Sequence, residues 1–209
     1  MKSPMKEFPY QIYCDMDGVL VGFLVGAVKK MNETINDKDH PLSALAERVK
    51  AEIGSDIIEP YHLTKGDPRC LPCAREYMRP LVEDDEEFWA NLPWTPEGRE
   101  LWNFIKECNP TILTSPMDQN GYKGSIKGKE KWIKHHLGLD ISRRVIYSHD
   151  KYEYARGNNE PTVLIDDYDK NVRLFKEHGG IIVHHLGDLS KTLTTLEDIK
   201  NGNSYRTLD

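Results

Sequence analysis

Five short apolar runs punctuate the chain, each giving way to polar or acidic residues: YQIYC (10–14), PTILTS (110–115), RRVIYS (143–148), PTVLID (161–166) and GIIVHH (180–185). They are rich in Ile, Val, Leu, Thr and Tyr, and their length suits buried strands. Helical patterns lie between most of them. In PEGRELWNFIKECN, Leu101, Trp102, Ile105 and Cys108 recur near the 3.6-residue period, and Asn109-Pro110 closes the segment. In GKEKWIKHHLG, Trp132, Ile133, His136 and Leu137 share a face, with Gly138 as a C-terminal stop. In KNVRLFKEHGG, Val172 and Phe175 face inward and Gly179 ends the helix. Strands alternating with helices predict an α/β fold built on a parallel sheet.

The stretch from Val19 to Trp94 breaks this rhythm, because it separates the first two strands by far more than one helix. Its pieces read as helical: GFLVGAVKKMNETI, PLSALAERVKAEIG and a short acidic segment around EDDEEFWANL. The expectation is a helical insertion at 20–91 within a core formed by 1–19 and 92–209. The final ten residues, KNGNSYRTLD, read as a frayed tail.

Composition narrows the function classes. With 28 Lys and Arg against 34 Asp and Glu, the net charge is −6, which disfavours broad phosphate neutralisation along a polynucleotide. Hydrophobic residues at 38% and charged residues at 30% place the chain in the globular range. No segment reaches the ~18–20 apolar residues of a membrane span. The first ten residues, MKSPMKEFPY, hold no apolar signal core. Four cysteines are too few for a disulfide scaffold, so a reducing cytoplasm is expected.

The candidate chemistry sits at strand ends, where open parallel sheets bind ligands. The first strand runs into Asp15-Met16-Asp17-Gly18, two carboxylates followed by a residue that permits a sharp turn. Such a tetrad by itself more often marks a surface turn or calcium-type loop; the buried strand before it reverses that balance in favour of a site. The second strand ends in Thr114-Ser115, whose hydroxyls and backbone N–H groups suit a phosphate oxygen or, more commonly, a helix cap. The fourth ends in Asp166-Asp167, adjacent carboxylates that repel unless a cation sits between them, although one is expected to cap the following helix. Hard carboxylate oxygens are the preferred surroundings of Mg2+. Lys127, Lys129 and Lys131 follow the second strand, and at least two of them must be solvated.

In this order, Asp-x-Asp-Gly-Val at 15–19, apolar-Thr at 111–114, a lysine, and Asp-Asp at 166–167, the chain resembles the haloacid dehalogenase superfamily of aspartyl phosphatases. DMDGVLV (15–21), ILTSP (112–116), Lys131-Trp132 and LIDD (164–167), with FWANLPWTPEG (88–98), make it most similar to the 5′(3′)-deoxyribonucleotidases and their bacterial and phage relatives. The similarity covers roughly 8–26 and 88–186. It implies a Rossmann-like parallel sheet with helices on both faces and a small helical cap inserted after the first strand. It further implies Asp15 as nucleophile, Asp17 as general acid and base, and Thr114 and Ser115 as phosphoryl contacts. Lys129 falls at the position of the phosphate-neutralising lysine, ahead of Lys131. Lys151 matches a substrate-side lysine, while His149 replaces an expected arginine. The implied Mg2+ ligands are Asp15, the backbone carbonyl of Asp17, and Asp167, with Asp166 a neighbouring or water-mediated ligand. Asp167 is preferred because Asn171 follows it at the spacing of the family's second acidic residue, which here is an amide.

The insertion carries Tyr61, Tyr77, Phe88, Trp89 and nearby Trp94. Any one of these aromatics more readily forms the insertion's own core, but Phe88 and Trp89 are also candidates to stack on a nucleobase. Cys70 and Cys73 form a CxxC that reads first as structural thiols, then as half of a zinc or disulfide staple, and last as a redox pair. The pairs His135-His136 and His184-His185 do not present both rings to one metal. The expected activity is Mg2+-dependent hydrolysis of nucleoside 5′-monophosphates. A sugar phosphate or a nucleic-acid 3′-phosphate end is the alternative substrate, and an idle binding module the alternative class. The expected partner is a small nucleotide, with no membrane and no stable nucleic-acid partner; a homodimer is left open.

Overall fold

The computed structural model describes residues 8–117, 121 and 123–202. The leading residues 1–7 and the tail residues 203–209 lie outside it. The chain groups into two compact units: one formed by the chain up to Val21, by Trp94–Ser115 and by the chain from Leu139 onward, the other by Gly22–Pro93 and Pro116–Gly138. The segment 116–138, which the sequence reading keeps with 92–209, groups with the insertion.

The first unit holds a five-stranded, all-parallel sheet. The five apolar runs form its strands: β1 (Ile12–Cys14), β2 (Thr111–Thr114), β3 (Ile146–Tyr147), β6 (Val163–Asp166) and β7 (Ile181–His184). Their spatial order is β3-β2-β1-β6-β7. The chain therefore travels outward from β1 on one side, then returns to start again on the other. This creates a switch point between β1 and β6, where ligands of such sheets bind beyond the carboxyl ends. The β1–β6 register pairs Cys14 with Ile165, and Asp15 N–H donates to Ile165 O at 2.9 Å. The two acidic strand ends are thus brought level.

Helices cover this sheet. α8 (Asp169–Glu177) packs on β6 and β7; α9 (Leu189–Asn201) packs on β7 and against α5 (Gly98–Ile105). Leu101, Ile105, Phe175, Leu196 and Ile199 are buried, along with Ile112, Leu113 and Val163 to Ile165. Burying a side chain of this kind is worth about 1.5–3 kcal/mol. A short β4–β5 hairpin (Arg156–Gly157 and Glu160–Pro161) completes the unit, turned by Asn158 and Asn159 at φ 50° and 66°. That two-residue turn is a hairpin signal in the sequence.

The second unit is helical, with α1 (Phe23–Thr34), α2 (Ser43–Ile53), α3 (Pro72–Val82), α4 (Glu86–Ala90) and α6 (Gly124–His136). α3 is absent from the sequence reading, where Pro80 inside the segment masks an otherwise amphipathic stretch. Tyr77 is buried and its hydroxyl lies 2.7 Å from Thr34 Oγ1. The acidic run 84–87 is consumed within the unit. Asp84 accepts from Gly124 N–H, Asp85 pairs with Lys30, and Glu86 and Glu87 both pair with Lys131. Among the described residues, no helix is long and apolar enough to cross a membrane.

Candidate active site

The loop after β1 is a tight, internally bonded turn. Gly18 N–H donates to Val21 O, and Leu20 and Val21 N–H both donate to Met16 O. Thr95 closes it from outside: its hydroxyl donates to Val19 O at 2.7 Å and its N–H to Leu20 O. The turn requires glycine at 18 for two reasons. Its φ is +79°, a left-handed conformation that L side chains rarely adopt, and a Cβ there would lie 2.1 Å from Asp167 Oδ2. The Asp167 carboxylate fills the space that the missing side chain leaves.

At the switch point, Asp15, Asp166 and Asp167 each bring one carboxylate oxygen within 4.8 Å of the other two. A cation faces two of them. Lys151 is 1% exposed, and its Nζ lies 2.7 Å from Asp15 Oδ1 and 2.7 Å from Asp166 Oδ2. Asp15 Oδ1 also accepts from Met16 N–H at 2.7 Å. Asp166 is fully buried and heavily bonded. Besides Lys151, it accepts from Tyr168 N–H at 2.9 Å and from Asn171 Nδ2 at 3.2 and 3.1 Å.

The three carboxylates outnumber the Lys151 ammonium, and the protonation equilibria register the crowding of negative charge. Burial, followed by repulsion from Asp15 and Asp166, pushes Asp167 up to about 8. Burial and repulsion from Asp15 also raise Asp166, despite the opposing pull of Lys151. Burial works against the Lys151 ammonium, but Asp15 and Asp166 outweigh it and its affinity for the proton rises. An additional cation would relieve this crowding. The donor set is all hard oxygen, and Asp167 is held against Gly18 beside the β1 end, so the residues fit a small divalent ion such as Mg2+. Of the two β6-end carboxylates, Asp167 would be the one to hold such an ion, since the oxygens of Asp166 are taken up by Lys151, Tyr168 and Asn171.

The other sequence candidates are distributed as follows. Thr114 is fully buried at the end of β2, and the Ser115 hydroxyl donates to Ser148 O at 3.0 Å. Asp17 is partly exposed in the β1 turn. Lys151, read as a substrate-side lysine, pairs with Asp15 and Asp166 from the start of the 3-10 turn Lys151–Tyr154. Lys129 belongs to the second unit. It is buried there, with Nζ 5.0 Å from the centre of the Trp89 ring. Of its neighbours, Lys127 is exposed and Lys131 is tied to Glu86 and Glu87. Asn171, expected to accompany Asp167, binds Asp166 instead: from the first turn of α8 its amide reaches the carboxylate at the end of β6.

Trp89 departs from the stacking role considered for it. It is 1% exposed, its indole N–H donates to Val82 O at 2.7 Å, and its ring stacks on Phe23 at 5.1 Å and 11°. Its faces are used within its own unit. Phe88 is half-buried and meets Phe23 and Trp89 edge-on. Cys70 and Cys73 are free thiols, and burial, with a hydrogen bond to Glu52, pushes Cys73 up to about 11. The paired histidines join no metal-type cluster among the described residues. His184 Nε2–H donates to Asp167 O, and the His185 ring bonds the Thr192 hydroxyl.

No protein-family model matches the chain, and no curated protein sequence matches it. Solved structures do resemble it. A hydrolase from Streptococcus pneumoniae TIGR4 is 12% identical with a TM-score of 0.49, over 90% of this chain and 98% of that one. A haloacid dehalogenase-like family hydrolase from Streptococcus pneumoniae is 12% identical with a TM-score of 0.49, over 88% and 90%. A putative beta-phosphoglucomutase from Thermotoga maritima is 16% identical with a TM-score of 0.40, over 92% and 97%.

Proposed function

We propose that the protein is a Mg2+-dependent phosphomonoesterase of the haloacid dehalogenase type, acting on nucleoside 5′-monophosphates, deoxyribonucleotides foremost. One observation carries the reading: the Asp15 carboxylate stands at the switch point with Oδ1 fixed by Met16 N–H and Lys151, beside Asp167. Both contacts fall on Oδ1, which fixes the plane of the carboxylate that attacks. The nucleotide class is supported by the ordered motifs and their similarity to the deoxyribonucleotidases.

Asp15 attacks phosphorus in line through a carboxylate oxygen, forming an aspartyl-phosphate as the ester O–P bond breaks. Asp17 protonates the departing alkoxide, then accepts a proton from the water that attacks the phosphoenzyme. Lys151 offsets charge on Asp15 and on the incoming phosphoryl oxygens, and Thr114 supports those oxygens from the end of β2. Lys129 is assigned to the phosphate as well. Asp15 and Asp167, with the Asp17 carbonyl, would hold Mg2+, whose charge lowers the repulsion between an anionic nucleophile and an anionic phosphate. Two displacements at phosphorus give net retention.

Phosphate release from a panel of nucleoside monophosphates and sugar phosphates, with and without Mg2+, tests this reading. The expected result is Mg2+-dependent release, fastest from deoxynucleoside 5′-monophosphates and absent in Asp15→Asn. Preference for a sugar phosphate would retain the chemistry and replace the substrate. No release from any member of the panel would remove the assignment.

A further inference from the structure

We propose that Asn171 is a positioning residue that fixes Asp166 and, through it, the ammonium of Lys151 against Asp15; this rests on the phosphatase reading above. Lys151 lies fifteen residues before Asp166 and meets it only through the fold. The lysine's four-carbon stem is buried, and its head is held by the charges it meets. Those charges are one oxygen of Asp15 and one of Asp166, both at 2.7 Å. Asp15 is already fixed by Met16 N–H. Asp166 must be fixed equally well, or the bridge loosens and the ammonium of Lys151 shifts off Asp15.

Two donors do this. Tyr168 N–H holds Oδ1 at 2.9 Å, and Asn171 Nδ2 straddles both oxygens at 3.2 and 3.1 Å. Tyr168 alone leaves the carboxylate free to turn about its Cβ–Cγ bond, while the straddling amide sets the plane. A carboxylate at 171 would add negative charge beside Asp166 and offer it no N–H. The reversed amide would aim its oxygen at the same carboxylate, so Nδ2 is the inward atom.

The test uses the full chain in Mg2+, comparing wild type with Asn171→Leu, which removes the donor at similar volume, and Asn171→Asp. The second keeps the side-chain shape and places an acid in the first turn of α8, where the helix dipole favours it, so the fold is retained. Two readouts are taken. In turnover, both variants are expected to lose about 10- to 100-fold in kcat with a much smaller change in KM. In 15N-lysine-labelled protein, the wild type is expected to show a slowly exchanging ammonium signal. This signal is assigned to Lys151 by its disappearance in Lys151→Arg, and it shifts or broadens away in both Asn171 variants. An unmoved ammonium signal in either variant overturns the proposal whatever the rate does. So does a kcat above about half that of wild type. If the wild type releases phosphate from no ester, the functional reading fails while the ammonium signal still decides the role of Asn171.

Discussion

Replacing Gly18 by alanine separates two costs that the structure combines at one position. The first is backbone strain: an L residue at φ +79° loses about 1–2 kcal/mol. The second is collision. The new Cβ would lie 2.1 Å from Asp167 Oδ2 and 2.5 Å from its Cγ, more than 1 Å inside ordinary van der Waals contact. Backbone on one side and a rotatable carboxylate on the other decide the outcome, and Asp167 moves. A Mg2+ ligand that shifts by that much leaves the ~2.0–2.1 Å bond length the ion demands. A displacement of ~1 Å costs on the order of 100-fold in a positioned site. Gly187 supplies the control: it has the same φ of +79° in the same unit, yet no atom lies within 4 Å of its Cβ position. Both alanine variants should lose similar stability in EDTA by thermal melting. Only Gly18→Ala should raise the Mg2+ concentration for half-maximal phosphate release, by about 10- to 100-fold. Equal Mg2+ dependence in the two variants would show that Asp167 is not a ligand, or that Gly18 is not what keeps it in place.

Asp15→Asn should leave the melting transition recognisable while phosphate release drops below about a thousandth of wild type; appreciable turnover would move the nucleophile elsewhere. Asp167 holds its proton up to about 8 when folded, against about 4 when unfolded, so its contribution to stability is fullest below pH 4 and is lost as pH rises to 8. Asp167→Asn should therefore be more stable than wild type at pH 8 in EDTA, by several kcal/mol, and the gap should close on acidification; denaturant melts showing no gap at pH 8 would contradict the charge crowding. Trp89→Ala should cost about 3–5 kcal/mol of stability through cavity formation and loss of the Phe23 stack. A variant with unchanged denaturation midpoint and impaired substrate binding would return Trp89 to the substrate.

The strands and their acidic ends were legible because both signals are local. A short β-branched run declares a buried strand within five residues, and Asp15, Asp17, Asp166 and Asp167 sit where those runs stop. Alternation with helices then gave the α/β class and the parallel sheet, while the strand order β3-β2-β1-β6-β7 came only with the fold. Some elements were legible but overlooked. α9 begins at Asp188, whose side chain accepts from Lys191 N–H, and Leu196 and Ile199 lie on its buried face. The Asn158-Asn159 turn is a hairpin signal of the same short range. α3 was masked by Pro80, which helices seldom carry. The partners within the site were decided by tertiary structure alone. The resemblance gave Lys151 a substrate-side role and made Asn171 the companion of Asp167. In the fold, Lys151 reaches Asp15 and Asp166, and Asn171 turns its amide to Asp166. Chain spacing specifies which face of an element a residue occupies. Which charge it meets depends on how the β1 and β6 ends are brought level, and that is a property of the sheet as a whole.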